Sequence, residues 1–359
     1  MLKPANPMKE FEMRAAEALG ALLEQVSVVK AKDIELEPPA LDFKADVMAR
    51  VSVSGKQHIL ICECEANGQP RHIRTALLQL RQYVSRLGNN ATPIVIAPFL
   101  SAEGQAMCRE SGAGYLDFAG NARIVFNGVF IERIVETKPP AARREMRSIF
   151  KPKSAQILRV MLRSPTRAWR VSELAEATGV SLGHVSNVRT ALLDREWAHV
   201  SPRGLSLTEP DKLLDAWRDA YEPPAGKRLR FYTTLHGSAL DEASKNALRA
   251  NEDDGWAMLA SFSAACWLAP YARVSTQYFY ADDTGLRRLQ DVMELSSASK
   301  GENVFITVPK DEGILHDTIE AAPGITCTSP VQTYLDLSIA GERGREAADH
   351  LRREKLKWA

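Results

Sequence analysis

Residues 59–83, ILICECEANGQPRHIRTALLQLRQY, decide how the first part of this chain folds. The stretch opens with the apolar residues of a buried strand, passes through a short loop and continues as a helix that carries several arginines. Side chains two apart on a strand share one face, so we expect Glu63 and Glu65 to project together from the strand end. Cys62 and Cys64 then lie on the opposite face.

A third carboxylate comes from the preceding apolar segment, DFKADVMARVSVSG, which contains Asp46. A hairpin that turns at Ser54-Gly55 would lay this segment beside the next one and bring Asp46, Glu63 and Glu65 to one edge. Carboxylate oxygens are the ligands that Mg²⁺ prefers in proteins. The sequence therefore predicts a site for Mg²⁺, or Mn²⁺, made of these three acids. The alternative is a set of solvated acids at a strand end.

The composition is that of a globular chain with more than one domain. Its 359 residues are enough for two or three domains of ~100 to 200 residues each. Hydrophobic residues make up 45% of the chain and charged residues 25%, which argues against disorder. The formal net charge of +1 hides a basic segment at 138–153, where six Lys or Arg residues accompany a single acid, Glu145. Such a segment suits a polyanionic partner.

Cysteine usage and the first residues predict a cytoplasmic location. The five cysteines form no CxxC pair and leave one over in any disulfide scheme, as expected in a reducing compartment. The opening sequence, MLKPANPMKEFEMR, lacks the apolar core of a signal peptide, and no segment reaches ~18 uninterrupted apolar residues. We therefore expect neither export nor insertion in a membrane.

The order of the patterns predicts a multidomain α/β protein. A helix at 8–25 precedes the two acid-bearing strands, and a helix at 72–87 is followed by further strands with a tight-hairpin signal at Asn127-Gly128. A proline-bearing basic segment without periodicity then predicts a linker. We divide the chain into a first α/β domain (1–137), the basic linker (138–153), a central domain (154–210) and a C-terminal α/β domain (211–359).

The central part has the pattern of a winged helix-turn-helix. Three short helical patterns, AQILRVMLRS, VSELAEATGV and SLGHVSNVRTALLDREW, are followed by the strand-turn-strand sequence WAHVSPRGLSLTEP. Valine and leucine side chains form the core stripe of the third helix. The residues predicted to contact DNA are polar side chains left exposed on that helix and an arginine of the wing: Ser181, His184, Ser186, Asn187, Arg189 and Arg203. A winged helix that docks on protein is the alternative.

Asp46 followed by Glu63-Cys64-Glu65 and a basic helix resembles the PD-(D/E)XK nuclease superfamily. The resemblance covers roughly the first 135 residues, and it implies a restriction-endonuclease-like fold that cleaves phosphodiester bonds with Mg²⁺. Asp46 and Glu63 match the two metal ligands of that superfamily. Glu65 stands where lysine is usual, and a third carboxylate there would act as a ligand or as a base.

The helix after these acids carries Gln79 and Tyr83, which resemble the QxxxY signature of RecB-type nucleases in the same superfamily. Spaced four apart, the two side chains share one face of the helix. The resemblance implies that they support the metal site and contact a phosphate. Three arginines of the same helix would add positive charge toward DNA: Arg71, Arg74 and Arg81. An ordinary polar helix over a sheet is the alternative.

The rest of the chain resembles the AbiEi family of transcriptional regulators, which are antitoxins of type IV toxin–antitoxin systems. The resemblance lies in the winged helix and in two phrases, SFSAACWLAPYARV at 261–274 and SPVQTYLDLSIAGERGREAADHLRREKL at 329–356. It implies a C-terminal α/β domain with an antitoxin role and a cognate toxin of the nucleotidyltransferase type as partner.

Two hypotheses for function follow. In the first, the winged helix delivers the nuclease-like domain to DNA, and the protein is a Mg²⁺-dependent DNA endonuclease in a defence or mobile-element context. In the second, the nuclease-like domain has no catalytic activity, and the protein is a non-catalytic regulator or antitoxin of the AbiEi type. Both make DNA a partner, and a homodimer is left open because winged helices often bind paired half-sites.

Overall fold

The computed structural model describes residues 7–38, 44–248, 255–271, 275–297 and 300–358. The chain divides into two compact units, Met1–Glu145 with Leu193–Glu196 and Met146–Leu192 with Trp197–Ala359. Each unit contains helices and sheets, so the predicted multidomain α/β class is confirmed. The finer division into a first domain, a linker, a central domain and a C-terminal domain stays a prediction.

The first unit is built on a seven-stranded sheet whose strands neighbour one another in chain order. The strands β1 to β7 are Val29–Leu36, Val47–Val53, Lys56–Cys64, Ala91–Ala97, Gly114–Asp117, Ala122–Phe126 and Val129–Arg133. Pairing is parallel from β3 to β5 and antiparallel on either side. Helices α1 to α3 are Pro7–Glu24, Pro70–Leu87 and Ala102–Glu110. Parallel neighbours need crossover connections, and α2 and α3 supply them.

The two faces of β3 carry the side chains that the alternation predicts. Cys62 and Cys64 are buried in the cluster that α1 covers, while Ile61 belongs to the cluster that α2 covers with Ile73 and Tyr83. Glu63, two residues after Ile61, therefore faces the α2 side. The sheet is thus a central layer between two helical layers, with the carboxylates emerging at the carboxyl end of β3.

Both hairpins predicted from turn residues are confirmed. Ser54 and Gly55 have φ of 49° and 84°, and Asn127 and Gly128 have φ of 44° and 79°. Two successive positive φ values are the signature of the hairpin turn whose twist matches the flanking strands. The first of these turns fixes the register of β2 against β3, and with it the position of Asp46 relative to Glu63.

The expectation of an irregular segment after the first domain is wrong. Pro140–Ile149 forms a helix, α4, inside the predicted linker. Proline is well tolerated in the first turn of a helix, because its missing N–H would have no partner there, and the following Ala, Arg, Glu and Met residues favour helix. The helix ends at Ile149, which is buried.

The second unit begins with three helices and a two-stranded sheet in the predicted order. Helices α5 to α7 are Pro152–Arg163, Val171–Thr178 and Leu182–Asp194, and strands β8 and β9 are Ala198–Ser201 and Gly204–Leu207. Gly179 caps the C-terminus of α6, and its φ of 62° is the left-handed conformation typical of that position. Val185, Val188 and Leu192 of α7 are buried as expected, whereas Leu193 is half-buried.

The remainder of the second unit holds another seven-stranded sheet, in the order β13-β10-β14-β12-β11-β16-β15. Its strands β10 to β16 are Gly226–Tyr232, Ala257–Leu259, Gln277–Ala281, Ser296–Ser297, Val304–Pro309, Thr318–Ala322 and Ile325–Thr328. Helices α8 to α13 are Pro210–Asp219, Gly237–Leu248, Ser261–Leu268, Asp283–Val292, Pro330–Ser338 and Gly341–Lys355. Within the described ranges, no helix combines the length and apolar character needed to cross a membrane.

Candidate functional site

The hairpin register brings the three predicted acids to one edge of the first sheet. Val47 pairs with Cys62 in the antiparallel hairpin. One residue further along, Asp46 therefore lies opposite Glu63. The backbone N–H of Cys64 donates a hydrogen bond to Asp46 Oδ2 at 2.7 Å, which fixes that carboxylate against β3. The pairing of β3 with β4 continues at Glu65, whose N–H donates to a β4 carbonyl at 2.8 Å.

Burial raises the pKa of all three acids, and the charge of Asp46 raises those of Glu63 and Glu65 further. Burial raises the pKa of Glu63 to about 8, with the charge of Asp46 as the next cause, while a hydrogen bond with Tyr83 opposes the rise. Burial and the charge of Asp46 likewise raise the pKa of Glu65 to about 7. The pKa of Asp46 is raised by burial, against the lowering effect of the Cys64 N–H. Acids perturbed in this way are stabilised in the ionised form by a nearby cation.

One oxygen of this cluster has no hydrogen-bond partner among the described residues. Glu63 is only 6% exposed, and its Oε1 is buried without a hydrogen bond from the described part of the chain. Native structures rarely leave such an oxygen unsatisfied, and an ion is one of the ways to satisfy it. No three His, Cys, Asp or Glu side chains among the described residues already stand in a metal-ligating group. Carboxylate oxygens are nevertheless the donors that suit a hard divalent cation, and Asp46 and Glu63 are the residues that could hold one here.

Tyr83 belongs to this cluster, whereas Gln79 forms no hydrogen bond with it in the described part of the chain. The Tyr83 hydroxyl donates to the carbonyl oxygen of Lys44 at 2.9 Å and shares a hydrogen bond with the carboxyl group of Glu63. Burial, followed by the charge of Glu63, raises the pKa of Tyr83 to about 12. Gln79 is exposed and forms no hydrogen bond with another described residue. Its predicted contact with a phosphate stays a prediction.

The three arginines of α2 that are predicted to contact DNA are exposed. Arg74 donates two hydrogen bonds of 2.8 and 2.7 Å to Glu196, which belongs to the same unit, and Arg71 lies 3.9 Å from Asp194. These carboxylates offset part of the positive charge expected on the helix. Arg81 forms no ion pair with another described residue, and DNA contact by any of the three stays a prediction.

Sequence reasoning missed a fourth acid near the site, Glu12 of α1. Glu12 is 5% exposed, and its pKa is raised by burial first and then by the charges of Asp46 and Glu37. The available signal was its position: residues 12, 15, 19, 22 and 23 form the buried stripe of the helix. A glutamate in an otherwise apolar stripe indicates that its carboxyl group is needed inside.

On α7 and just before it, the predicted DNA-contacting residues divide into two groups. Ser181, Ser186 and Asn187 are exposed. His184 instead places its Nε2 3.0 Å from the Oγ of Ser154, a residue of α5 that is 3% exposed. The ring therefore holds α7 against α5, a structural role that its sequence context did not indicate.

The remaining two predicted DNA-contacting residues are arginines. Arg189 is half-buried on α7, and Arg203 is exposed in the turn between β8 and β9. A long basic side chain at the tip of such a turn can reach a phosphate.

Comparison with protein families places the C-terminal resemblance at residues 206–357. These residues match a family described as a transcriptional regulator, the AbiEi antitoxin of type IV toxin–antitoxin systems. The resemblance predicted for the C-terminal part is thereby confirmed. A search of curated proteins gave no match.

Among solved structures, the chain is similar to a repair endonuclease from Pyrococcus abyssi, with 16% identity, a TM-score of 0.23 and coverage of 29% of this chain and 46% of the other. EndoMS in its apo form gives 17% identity, a TM-score of 0.22 and coverage of 29% and 45%. EndoMS in complex with double-stranded DNA gives 18% identity, a TM-score of 0.21 and coverage of 29% of this chain and 44% of the other. The chain thus spans less than half the length of these proteins.

Proposed function

We propose that this protein binds DNA and that the acids of its first unit cleave a phosphodiester bond with a divalent cation, Mg²⁺ or Mn²⁺. The observation that carries the proposal is the buried, unpartnered Oε1 of Glu63 beside Asp46 and Glu65. When bound, the cation supplies an activated water and neutralises charge that develops on the phosphate. A defence or mobile-element context belongs to the same proposal.

The chain's own residues have separate tasks in this proposal. The backbone N–H of Cys64 orients the Asp46 carboxylate, and Tyr83 positions that of Glu63 through their shared hydrogen bond. Glu65 takes the place of the usual lysine. Its pKa of about 7 suits a group that accepts a proton from water near neutral pH.

The cleavage test replaces each ligand by its amide. We expect Asp46→Asn and Glu63→Gln to lower metal-dependent nicking of supercoiled DNA by about 100-fold or more. Loss of a metal ligand should lower activity at least as much as loss of a residue that only supports a ligand. Glu103→Gln, an exposed acid of α3, is the matched control and should cleave like the wild type. Nicking that is unchanged in both ligand variants would contradict the assignment.

A non-catalytic regulator is the second candidate function. The family match at residues 206–357 favours it, as does the glutamate in the position where the nuclease superfamily has lysine. In that case the first unit binds DNA or another protein without cleaving DNA. The partners are then DNA and a cognate toxin of the nucleotidyltransferase type. Titration of Mg²⁺ or Mn²⁺ separates the two functions: binding that Glu63→Ala abolishes supports the nuclease, and no binding to the wild type supports the regulator.

Both functions need a DNA-binding surface, for which we propose the winged helix. Arg189→Ala and Arg203→Ala should each weaken duplex binding about 3- to 10-fold and reduce the salt dependence by about one counterion, because each removes a phosphate contact. The control is Arg345→Ala, an exposed arginine of α13. Fluorescence anisotropy at several salt concentrations measures the effect. An affinity for duplex DNA that neither substitution changes would exclude the winged helix as the DNA-binding surface.

The cellular location and the oligomeric state complete the proposal. No disulfide joins the cysteines in the described part of the chain, and four of the five are buried. Reduced thiols suit a reducing compartment, so we propose the cytoplasm. A homodimer that reads two half-sites is proposed for the winged helix, and sedimentation on a palindromic duplex would test it.

A further inference from the structure

The C-terminal sheet has an aromatic and basic face on its strands β10, β14 and β12. These strands lie side by side, and their register aligns Arg230 with Phe305 and Phe305 with Tyr278. Two residues further along these strands, Arg228 of β10 and Tyr280 of β12 lie at the two ends of the next cross-strand row. Residues two apart on a strand share a face, so both rows point to the same side. They line a cavity of about 320 Å³, a size within the range of small-molecule sites.

The floor of this cavity is an aromatic platform. The rings of Tyr278 and Phe305 are stacked, with centroids 5.4 Å apart and planes within 14° of each other. Both side chains are half-buried, so part of each ring is open to solvent. Flat aromatic surfaces on an open sheet are the usual stacking platforms for nucleobases.

A buried carboxylate with a free oxygen lines the same cavity. Asp336 of α12 is 9% exposed, and its Oδ1 accepts hydrogen bonds from Tyr221 at 2.5 Å, Tyr280 at 3.0 Å and Gln332 at 3.0 Å. Its Oδ2 is buried and accepts no hydrogen bond from the described residues. Burial raises the pKa of Asp336 to about 6, so the group is ionised at neutral pH. It can therefore accept hydrogen bonds from N–H groups of a ligand.

Positive charge lies at the edge of the platform. Arg228 and Arg230 of β10 are exposed. Arg230 is 3.3 Å from Glu302, whereas Arg228 forms no ion pair with another described residue. A guanidinium group in this position suits a phosphate, which it can hold with two parallel hydrogen bonds.

We propose that this cavity binds a nucleotide unit. The base stacks on Phe305 and Tyr278, its N–H groups donate to Asp336, and its phosphate pairs with Arg228. A free nucleotide and the end of a single-stranded nucleic acid share this chemistry. The site is separate in position and chemistry from the acids of the first unit and from the winged helix, and it stands whether or not the protein cleaves DNA.

The test is isothermal titration of the full chain with guanosine 5′-monophosphate and with a 5′-phosphorylated single-stranded oligonucleotide. We expect the wild type to bind, and Phe305→Ala and Arg228→Ala each to weaken binding by about 10-fold, as is typical of a lost base stack or phosphate contact. Ribose 5-phosphate, which lacks the base, should bind at least about 10-fold more weakly. Phe130→Ala, an exposed phenylalanine of β7, is the control and should bind like the wild type.

The outcomes separate the proposal from its alternatives. Tighter binding of the oligonucleotide than of the mononucleotide, with both sensitive to Arg228→Ala, identifies a nucleic-acid strand as the ligand, and equal affinities identify the free nucleotide. Arg228 is exposed, so its replacement leaves the fold intact even if Phe305→Ala does not. No binding of either probe to the wild type, or binding that both substitutions leave unchanged, overturns the proposal.

Discussion

Replacing Glu63 with glutamine will make the metal-free protein more stable at pH 8 and remove much of its loss of stability between pH 5 and pH 8. Burial raises the pKa of Glu63 to about 8 in the folded state, from an ordinary value of 4.5. Between these two values the folded chain holds a proton that the unfolded chain has released. Stability therefore falls as pH rises through this window, and it is highest below the unfolded pKa.

The expected size of the effect is large for one side chain. One pKa unit corresponds to 1.36 kcal/mol, so we expect the glutamate to cost on the order of 3 kcal/mol at pH 8 relative to pH 5. The pKa of Glu65, raised to about 7, adds to the fall in the same direction. Glutamine keeps the shape of the side chain without its charge, so Glu63→Gln should flatten this dependence.

Urea unfolding at pH 5, 6, 7 and 8 with a chelator present measures the prediction. Adding Mg²⁺ at pH 8 should restore stability to the wild type and leave Glu63→Gln unchanged, because only the carboxylate gains a ligand. Glu103→Gln, in an exposed position of α3, should follow the wild type throughout. A stability gain from Glu63→Gln that is the same at every pH would show that the carboxyl group does not titrate in this window.

The local parts of the fold and site could be predicted because their signals lie in adjacent residues. The Ser54-Gly55 turn and the two-residue spacing of Glu63 and Glu65 are enough to place the acids at one sheet edge. Strand β1, by contrast, gave no such signal. Most of its side chains are exposed, as on a strand at the edge of a sheet, so no buried alternation marks it.

Other features depended on contacts between distant parts of the chain. Glu12 interrupts the apolar stripe of its helix, but only the fold brings that helix near Asp46. Asp336 likewise lies in a helix of mainly buried residues, and its partner Tyr221 is 115 positions away. No spacing rule connects residues so far apart, and only the three-dimensional fold identifies them as members of a site.

Replacing Asp317 with asparagine will destabilise the second unit by about 3–5 kcal/mol, because it leaves a buried guanidinium group without its counter-charge. Arg159 of α5 is 5% exposed and Asp317 is 8% exposed, with Arg159 Nε and Asp317 Oδ2 3.1 Å apart. Burial lowers the pKa of Arg159, and the charge of Asp317 is the largest cause that opposes this. The hydrogen bonds of Arg159 go instead to Gln332 and to the carbonyl of Gly313, each at 3.3 Å.

Arg163 provides the matched control, since it contacts the same carboxylate from an exposed position. Arg163→Ala should cost less than about 1 kcal/mol, as is usual for a solvent-exposed ion pair. The double variant Arg159→Met/Asp317→Leu removes both buried charges, so it should lie much closer to the wild type than Asp317→Asn. Denaturant unfolding measures all three, and equal losses in Asp317→Asn and Arg163→Ala would contradict the buried-pair argument.

The same pair bears on how the chain is divided. Arg159 lies in the region predicted as a separate central domain, and Asp317 lies in the predicted C-terminal domain. An ion pair this deeply buried can form only if the two regions are already packed together, and the structure assigns both residues to one compact unit. We therefore expect residues 146–192 and 197–359 to unfold in a single transition in the wild type, and Asp317→Asn to separate it into two. Two transitions in the wild type would instead favour independent domains.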